Sequence, residues 1–190
     1  MVRAVFLDRD GTIIEDSGYV GEIGRVKFLP RVGAAIKLLN ENKFKVIITT
    51  NQAGVARGYF DEAAVRRVNS YVREKLAEEG AFVDRVYYCP HHVEGVIEEY
   101  RRECSCRKPN TGMIEMAVRD LGVDVGASFA IGDKESDVEA GRRAGCRTIL
   151  LAGAGRGVPV SADYIAPDLY RAVKWLIKLD WREVGSHGKG

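Results

Sequence analysis

The chain's 190 residues suffice for one domain with a substantial core, and 46% hydrophobic with 29% charged residues is the balance of a folded protein, neither disordered nor membrane-embedded. Lys and Arg outnumber Asp and Glu by only 29 to 27, too even a balance for a broad electrostatic footprint on nucleic acid or anionic lipid, though compatible with a small anionic substrate. No apolar run approaches the length needed to span a bilayer, and Met1 leads into a strand without the basic, apolar and small-residue regions of a signal peptide, so the expectation is a cytoplasmic protein without membrane or nucleic-acid partners. A monomer is the working expectation, although these features do not fix the oligomeric state.

Val2 to Leu7 reads as a buried strand, and the helical spacing of Val32 to Leu39 follows Pro30, a residue suited to a helix start. Phe44 to Ile48 is the second strand. Asp61 caps a helix predicted to run to Glu79, where Gly80 ends it, and Val83 to Tyr88 supplies a third strand. Residues 90–109 are irregular. Asn110 to Leu121 reads as a helix closed by Gly122, Ser128 to Ile131 as a strand, Glu135 to Ala144 as a helix ended by Gly145, and Thr148 to Leu151 as the fifth strand. Leu169, Val173, Leu176 and Ile177 form an apolar stripe on a helix from Asp168 to Leu179, and Arg182 to Gly190 reads as a frayed tail. No role is assigned from Gly155 onward. Alternating strands and helices without a dividing linker predict one α/β domain over 1–190, with a parallel sheet covered by helices.

Ligands of an open parallel sheet collect beyond the carboxyl ends of its strands, and four such places carry polar residues: Asp8 to Thr12, Thr50 to Gln52, Arg107 with Lys108, and Asp133 to Asp137. Asp8-Arg9-Asp10-Gly11-Thr12 sets two carboxylates two residues apart, with Gly11 permitting a sharp turn. One carboxylate can attack phosphorus to give an aspartyl-phosphate; the other can protonate the leaving alkoxide and then take a proton from water. Asp8 is therefore the candidate nucleophile and Asp10 the acid and base. Attack by an anion on a phosphate dianion calls for a hard cation, and Mg²⁺ held by Asp8, Asp133 and a main-chain carbonyl near Asp10 suits that need. The Thr50 hydroxyl and the Lys108 ammonium can hold phosphoryl oxygens. Singly these features are ordinary, since a DxD is often a solvated turn, Thr-Asn a helix cap and a lone Lys a surface charge. Their coincidence at strand ends supplies nucleophile, acid, anion clamp and metal ligand together.

The residues resemble the haloacid dehalogenase superfamily of phosphotransferases, whose pattern is DxDGT, a strand-terminal Thr or Ser, a Lys and an acidic GDxxxD-like motif. Here these are Asp8 to Thr12, Thr50, Lys108 and Gly132-Asp133-Lys134-Glu135-Ser136-Asp137, so the likeness covers residues 1 to about 155. It implies a Rossmann-like doubly wound parallel sheet with helices on both faces, an aspartyl-phosphate mechanism and Mg²⁺.

Thr50-Asn51-Gln52-Ala53-Gly54-Val55-Ala56-Arg57-Gly58, Cys89-Pro90-His91 and Cys104-Ser105-Cys106-Arg107-Lys108-Pro109 narrow the resemblance to the D-glycero-D-manno-heptose-1,7-bisphosphate 7-phosphatase family. That likeness implies removal of the 7-phosphate from a small phosphorylated sugar. It also implies zinc on Cys89, His91, Cys104 and Cys106, Arg107 and Lys108 steadying the phosphoryl group, and a substrate site lined by Asp16, Ser17, Gly18, Tyr19, Thr50, Asn51, Gln52 and Ala53. Lys134 is a further candidate for phosphate contact, or merely an offset to Asp137. Histidinol-phosphate phosphatases share the zinc loop, but they usually carry Asp after Asn-Gln and lack the Ala-Arg-Gly ending, so they rank second. A DNA 3'-phosphatase fits poorly with the even charge, and a phospho-receiver module fits poorly with Asp10, which would hydrolyse the intermediate.

One His and three Cys also make a complete structural set for tetrahedral Zn²⁺, although C-x-H with C-x-C departs from the commoner C-x₂-C pairs. His92 is the rival to His91, and Cys146 reads as a buried strand residue. Only about 20 residues separate Asp10 from the first predicted helix, and the zinc-binding loop of residues 89–106 is equally short, which leaves no room for a large cap domain. Gly18, Tyr19 and Gly21 suggest a small flap over the sugar instead.

Overall fold

Val5 and Leu7 of the first strand pack into one apolar cluster while Ala4 and Phe6 pack into another, so the strand is buried on both faces, as a parallel sheet between helix layers requires. In the computed structural model, which describes residues 2–152 and 161–186, this strand is β1 (Ala4–Leu7) of a six-stranded sheet. The others are β2 (Lys45–Asn51), β3 (Arg85–Cys89), β4 (Phe129–Gly132), β5 (Arg147–Leu151) and β6 (Tyr164–Ala166). All pairings are parallel, in the spatial order β3-β2-β1-β4-β5-β6. This is the doubly wound Rossmann-like order, and its direction reverses between β1 and β4.

Helices α1 (Val32–Glu41), α2 (Glu62–Glu78) and α5 (Leu169–Ser186) bring Ile36, Leu39, Val72, Leu76, Val173 and Leu176 to the first cluster. On the other face α3 (Gly112–Leu121) contributes Met113, Ile114 and Ala117, and α4 (Glu135–Ala144) packs over β4 and β5. The caps read from the sequence form: Asp61 Oδ1 accepts from Ala64 N at 2.7 Å, and Gly122 and Gly145 close α3 and α4.

Three elements depart most from the sequence reading, the other bounds differing by at most two residues. Strand β2 runs on to Asn51, past the predicted end at Ile48, so Thr50 and Asn51 are held by the sheet itself. Strand β6 escaped prediction because three residues cannot show periodicity; it exists by pairing Ile165 with Leu150 at the sheet edge. Helix α5 continues to Ser186, beyond the expected end at Leu179, and the remainder of the expected frayed tail, 187–190, lies outside the described residues.

Register brings Leu7 level with Ile48 and with Ile131, which aligns the exits of β1, β2 and β4. Two long connections, residues 8–31 and 90–111, cover that end of the sheet with only single 3₁₀ turns at Ile23–Arg25 and Glu98–Tyr100. No large cap domain is present among the described residues. Nor is any of their helices long and apolar enough to cross a membrane.

Candidate active site

Asp8 leaves β1 with its N–H still bonded to Ile131 O at 3.0 Å, so its carboxylate emerges in the crevice between β1 and β4. There it meets Lys108, delivered by the 90–111 connection. The Lys108 ammonium reaches Asp8 Oδ1 at 2.7 Å, Asp137 Oδ1 at 2.6 Å and Thr49 O at 2.6 Å, which occupies all three of its donors. Burial disfavours the charged form, but Asp137 and Asp8 outweigh it and raise the Lys108 pKa. Asn51 clamps the Lys108 backbone, accepting from Lys108 N at 3.0 Å and donating to Lys108 O at 3.1 Å. Asn51, expected to line the substrate site, thus acts in this structure on the main chain of Lys108.

Asp137 sits in the first turn of α4, where Oδ2 accepts from Lys134 N at 3.1 Å. Burial raises its pKa against the pull of Lys108. An ideal Cβ at Gly132 would fall 2.3 Å from Asp137 Cβ, so only glycine lets the strand and this carboxylate approach. Sequence reasoning noted the second acid of the GDxxxD-like motif but gave it no role; the fold pairs it with Lys108.

Asp10 is governed by its neighbours. Arg9 Nη2 lies 3.0 Å from Asp10 Oδ2 and 3.2 Å from Oδ1, and Gln52 Nε2 donates to Oδ2 at 2.8 Å. Gln52 Nε2 also donates to Thr50 Oγ1 at 2.8 Å, which leaves the Thr50 hydroxyl hydrogen for another acceptor. Burial raises the Asp10 pKa, Arg9 opposes that, and Asp8 adds to it. A carboxyl held above its ordinary range is suited to carry a proton.

Gly11 turns the chain at φ 93°, and an ideal Cβ there would lie 2.3 Å from Asp133 Oδ2, so this carboxylate rests directly on the glycine backbone. Asp133 Oδ1 is buried with no hydrogen-bond partner. Burial pushes Asp133 up to about 6, against Lys134 and with help from Asp8 and Asp137. Carboxylate oxygens of Asp8, Asp133 and Asp137 all lie within 4.8 Å of one another. Three carboxyl groups against one ammonium, with an orphaned buried oxygen among them, fit a hard cation such as Mg²⁺.

The flap follows from Asp16. Its Oδ1 accepts from Gly18 N at 3.1 Å and its Oδ2 pairs with Lys134 Nζ at 2.9 Å. Arg25, which sequence reasoning passed over, donates to the carbonyls of Ser17 and Gly18 at 2.8 Å and of Tyr19 at 3.2 Å. Tyr19 stands edge-on to Tyr59 with ring centroids 4.8 Å apart. Ala53 is buried. A cleft of about 800 Å³ bounded by Gly11, Asp16, Arg31, Asp133 and Leu169 opens alongside.

Cys89, His91, Cys104 and Cys106, the residues that the resemblance implies for zinc, lie together. Cys89 ends β3, and its sulfur lies 3.4 Å from Cys104 Sγ and 3.7 Å from His91 Nδ1. Cys106 Sγ lies 3.3 Å from Cys104 Sγ and 3.4 Å from His91 Nδ1. Four ligand atoms spaced in this way outline a tetrahedron of the size zinc takes with sulfur and nitrogen. A hydrogen bond from Cys89 lowers the Cys106 pKa, with Cys104 and His91 acting in the same sense against burial. Arg102 Nη2 lies 2.7 Å from His91 Nε2, a contact that requires the ring proton on Nδ1 and would be given up when Nδ1 binds a metal. His92 instead accepts from Glu94 N. Cys146 is buried, its thiol pushed up to about 12. Arg107 Nη1 donates to His91 O at 3.2 Å, which couples the cluster to the segment carrying Lys108.

The HAD-hydrolase-like family model matches residues 105–172. The chain is 40% identical over 162 residues to the D-glycero-beta-D-manno-heptose-1,7-bisphosphate 7-phosphatase of Haemophilus ducreyi, covering 85% of this chain and 88% of that protein. It is also 40% identical to the enzyme of the same name from Photorhabdus laumondii, covering 93% and 98%. Among solved structures, a HAD-like phosphatase from Mesorhizobium loti matches with a TM-score of 0.81 at 37% identity, over 92% of this chain and 87% of that one. The D,D-heptose 1,7-bisphosphate phosphatase of B. bronchiseptica, complexed with magnesium and phosphate, matches with a TM-score of 0.81 at 31% identity, over 93% and 99%.

Proposed function

The chain belongs to the D-glycero-β-D-manno-heptose-1,7-bisphosphate 7-phosphatase family of HAD-like hydrolases, and on that premise we propose that it removes the 7-phosphate of this sugar bisphosphate through an aspartyl-phosphate on Asp8. The observation that carries the reading is Lys108 bridging Asp8 and Asp137 in the crevice beside Asp10.

Asp8 attacks phosphorus, the bond from phosphorus to the C7 oxygen breaks, and Asp10 gives its proton to that oxygen. A water then attacks the phosphorus of the aspartyl-phosphate while Asp10 takes the water's proton. Inorganic phosphate leaves and the Asp8 carboxylate is restored. Lys108 holds Asp8 in place and offers positive charge to the phosphoryl oxygens, and the Thr50 hydroxyl hydrogen points to the same duty. Magnesium, when held by Asp8 and Asp133 near the Asp10 backbone, supplies the charge that offsets repulsion between carboxylate and phosphate dianion.

Asp16, Ser17, Gly18 and Tyr19 of the flap, with Ala53, Arg107 and Lys134 around the rim, take the sugar and its remaining phosphate. Gln52 and Asn51 serve from behind by fixing Asp10 and Lys108. Cys89, His91, Cys104 and Cys106 hold a structural zinc that sets Arg107 and Lys108 in place and takes no part in bond making. The same reading makes residues 1–190 one domain, acting in the cytoplasm as a monomer.

Phosphate release in Mg²⁺, with the β-heptose bisphosphate compared against its α anomer and histidinol phosphate, tests the assignment. A preference for the β-heptose is expected. A preference for histidinol phosphate would overturn the substrate and leave the mechanism, whereas no release from any of them would overturn both.

A further inference from the structure

Arg9 is buried completely, the largest side chain among the described residues to be so. A guanidinium in the interior is costly unless its donors are paired, and an apolar side chain of similar length would fill the space without that cost. Its partners show what the charge is for. Nε and Nη2 span both oxygens of Asp10, at 3.0 to 3.4 Å. Nη1 donates at 2.8 Å to Asn69 Oδ1 on α2, itself buried, and Nη2 donates at 3.1 Å to Val20 O, next to Tyr19 in the flap.

The terminal torsion of an aspartate is broad, so a carboxyl tethered at one oxygen can still turn. Gln52 tethers only Oδ2. Arg9 alone among the described residues is seen to engage both oxygens, and a planar fork on a planar carboxylate fixes its direction as well as its distance. We propose that Arg9 is a positioning residue for the acid–base step, aiming the Asp10 carboxyl and tying that aim to α2 and to the flap. Backbone contacts agree, since Arg9 O accepts from Ile13 N and Ile14 N and so locks the turn that carries Asp10.

The inference rests on Asp10 acting as acid toward the leaving oxygen, and leaving-group dependence separates the two claims. A sugar alkoxide needs that proton to depart; nitrophenolate does not. Because kcat/KM covers the steps through departure of the leaving group, it is to be measured with the heptose bisphosphate and with p-nitrophenyl phosphate in Mg²⁺. Arg9→Met and Arg9→Lys are expected to lower kcat/KM for the sugar phosphate by roughly 100-fold and for the aryl phosphate less than about fivefold, as mispositioning of an acid predicts. Equal losses on both substrates, or no loss on either, would overturn the proposal. Asp10→Asn is the control: if it too lacks the leaving-group dependence, the acid assignment itself is overturned. Should both Arg9 variants fail to fold, Asn69→Ala decides, since it releases one anchor of the guanidinium; a selective loss of roughly three- to tenfold on the sugar phosphate is expected, and an equal loss on both substrates overturns the proposal.

Discussion

Lys108 Nζ stands 2.7 Å from Asp8 Oδ1 although the two residues are 100 positions apart in the chain. Both side chains are 5% exposed, so the pair is an interior one, with Asp137 as its third member. Removing one partner from such a group leaves uncompensated buried charge. Lys108→Met is therefore expected to cost about 3–5 kcal/mol of stability in metal-free protein, together with most of the activity. Urea unfolding beside turnover checks both. Asp8→Asn, which keeps the shape, should fold and release no phosphate, and turnover by that variant would remove Asp8 from the role of nucleophile.

Asp10 must be protonated to act as acid, so kcat/KM should fall as pH rises through its folded pKa. Burial raises that pKa, which moves the fall to higher pH than an exposed aspartate would show. Dividing the wild-type pH profile by that of Asp10→Asn cancels the substrate's own ionisation. The quotient should decline with rising pH; a flat quotient would argue against Asp10 as the acid.

Gly11→Ala tests the turn between the two carboxylates. The φ of 93° is unfavourable to any side chain, and the new methyl would collide with the Asp133 carboxylate. The backbone alone is expected to cost about 1–2 kcal/mol. Affinity for Mg²⁺, read by isothermal titration calorimetry, should weaken further because Asp133 is displaced.

One zinc per chain is expected by elemental analysis. Replacing Cys104 with Ser should abolish its retention and lower kcat by roughly ten- to 100-fold through the neighbouring Arg107 and Lys108. Cys146 should stay unreactive to thiol reagents with or without zinc, because it is buried and is not one of the four residues whose ligand atoms converge.

Lys134 and Asp16 form a partly exposed pair, with 50% and 34% of their side chains accessible. Such a pair contributes about 0–1 kcal/mol, so Lys134→Met should leave the melting temperature nearly unchanged. If these residues hold substrate, KM for the heptose bisphosphate should rise while thermal stability does not move. An unchanged KM would make the pair a surface contact only.

The sequence by itself determined whatever is local or periodic. Asp61, Gly122 and Gly145 marked helix ends because capping and left-handed turns depend on single residue types, and burial on both faces left continuous apolar runs such as Val5 to Leu7. Asp8, Asp10, Lys108, Asp133 and the Cys/His set were legible because each kind of chemistry demands particular side chains near strand ends or in a compact loop. Tertiary structure alone decided which partners those groups have. Strand β6 forms through its pairing with β5, which no three-residue window reveals. Arg9 reads as the variable position of a motif until α2 brings Asn69 to it across 60 residues. Gln52 and Asn51 read as lining until the crevice closes around Asp10 and Lys108. Asp137 remained an acid without a function until the 90–111 connection set an ammonium beside it. The reason is common to all of them: hydrogen bonds and ion pairs between residues distant in sequence leave no periodic trace, and they form only where the sheet brings separate loops to one edge.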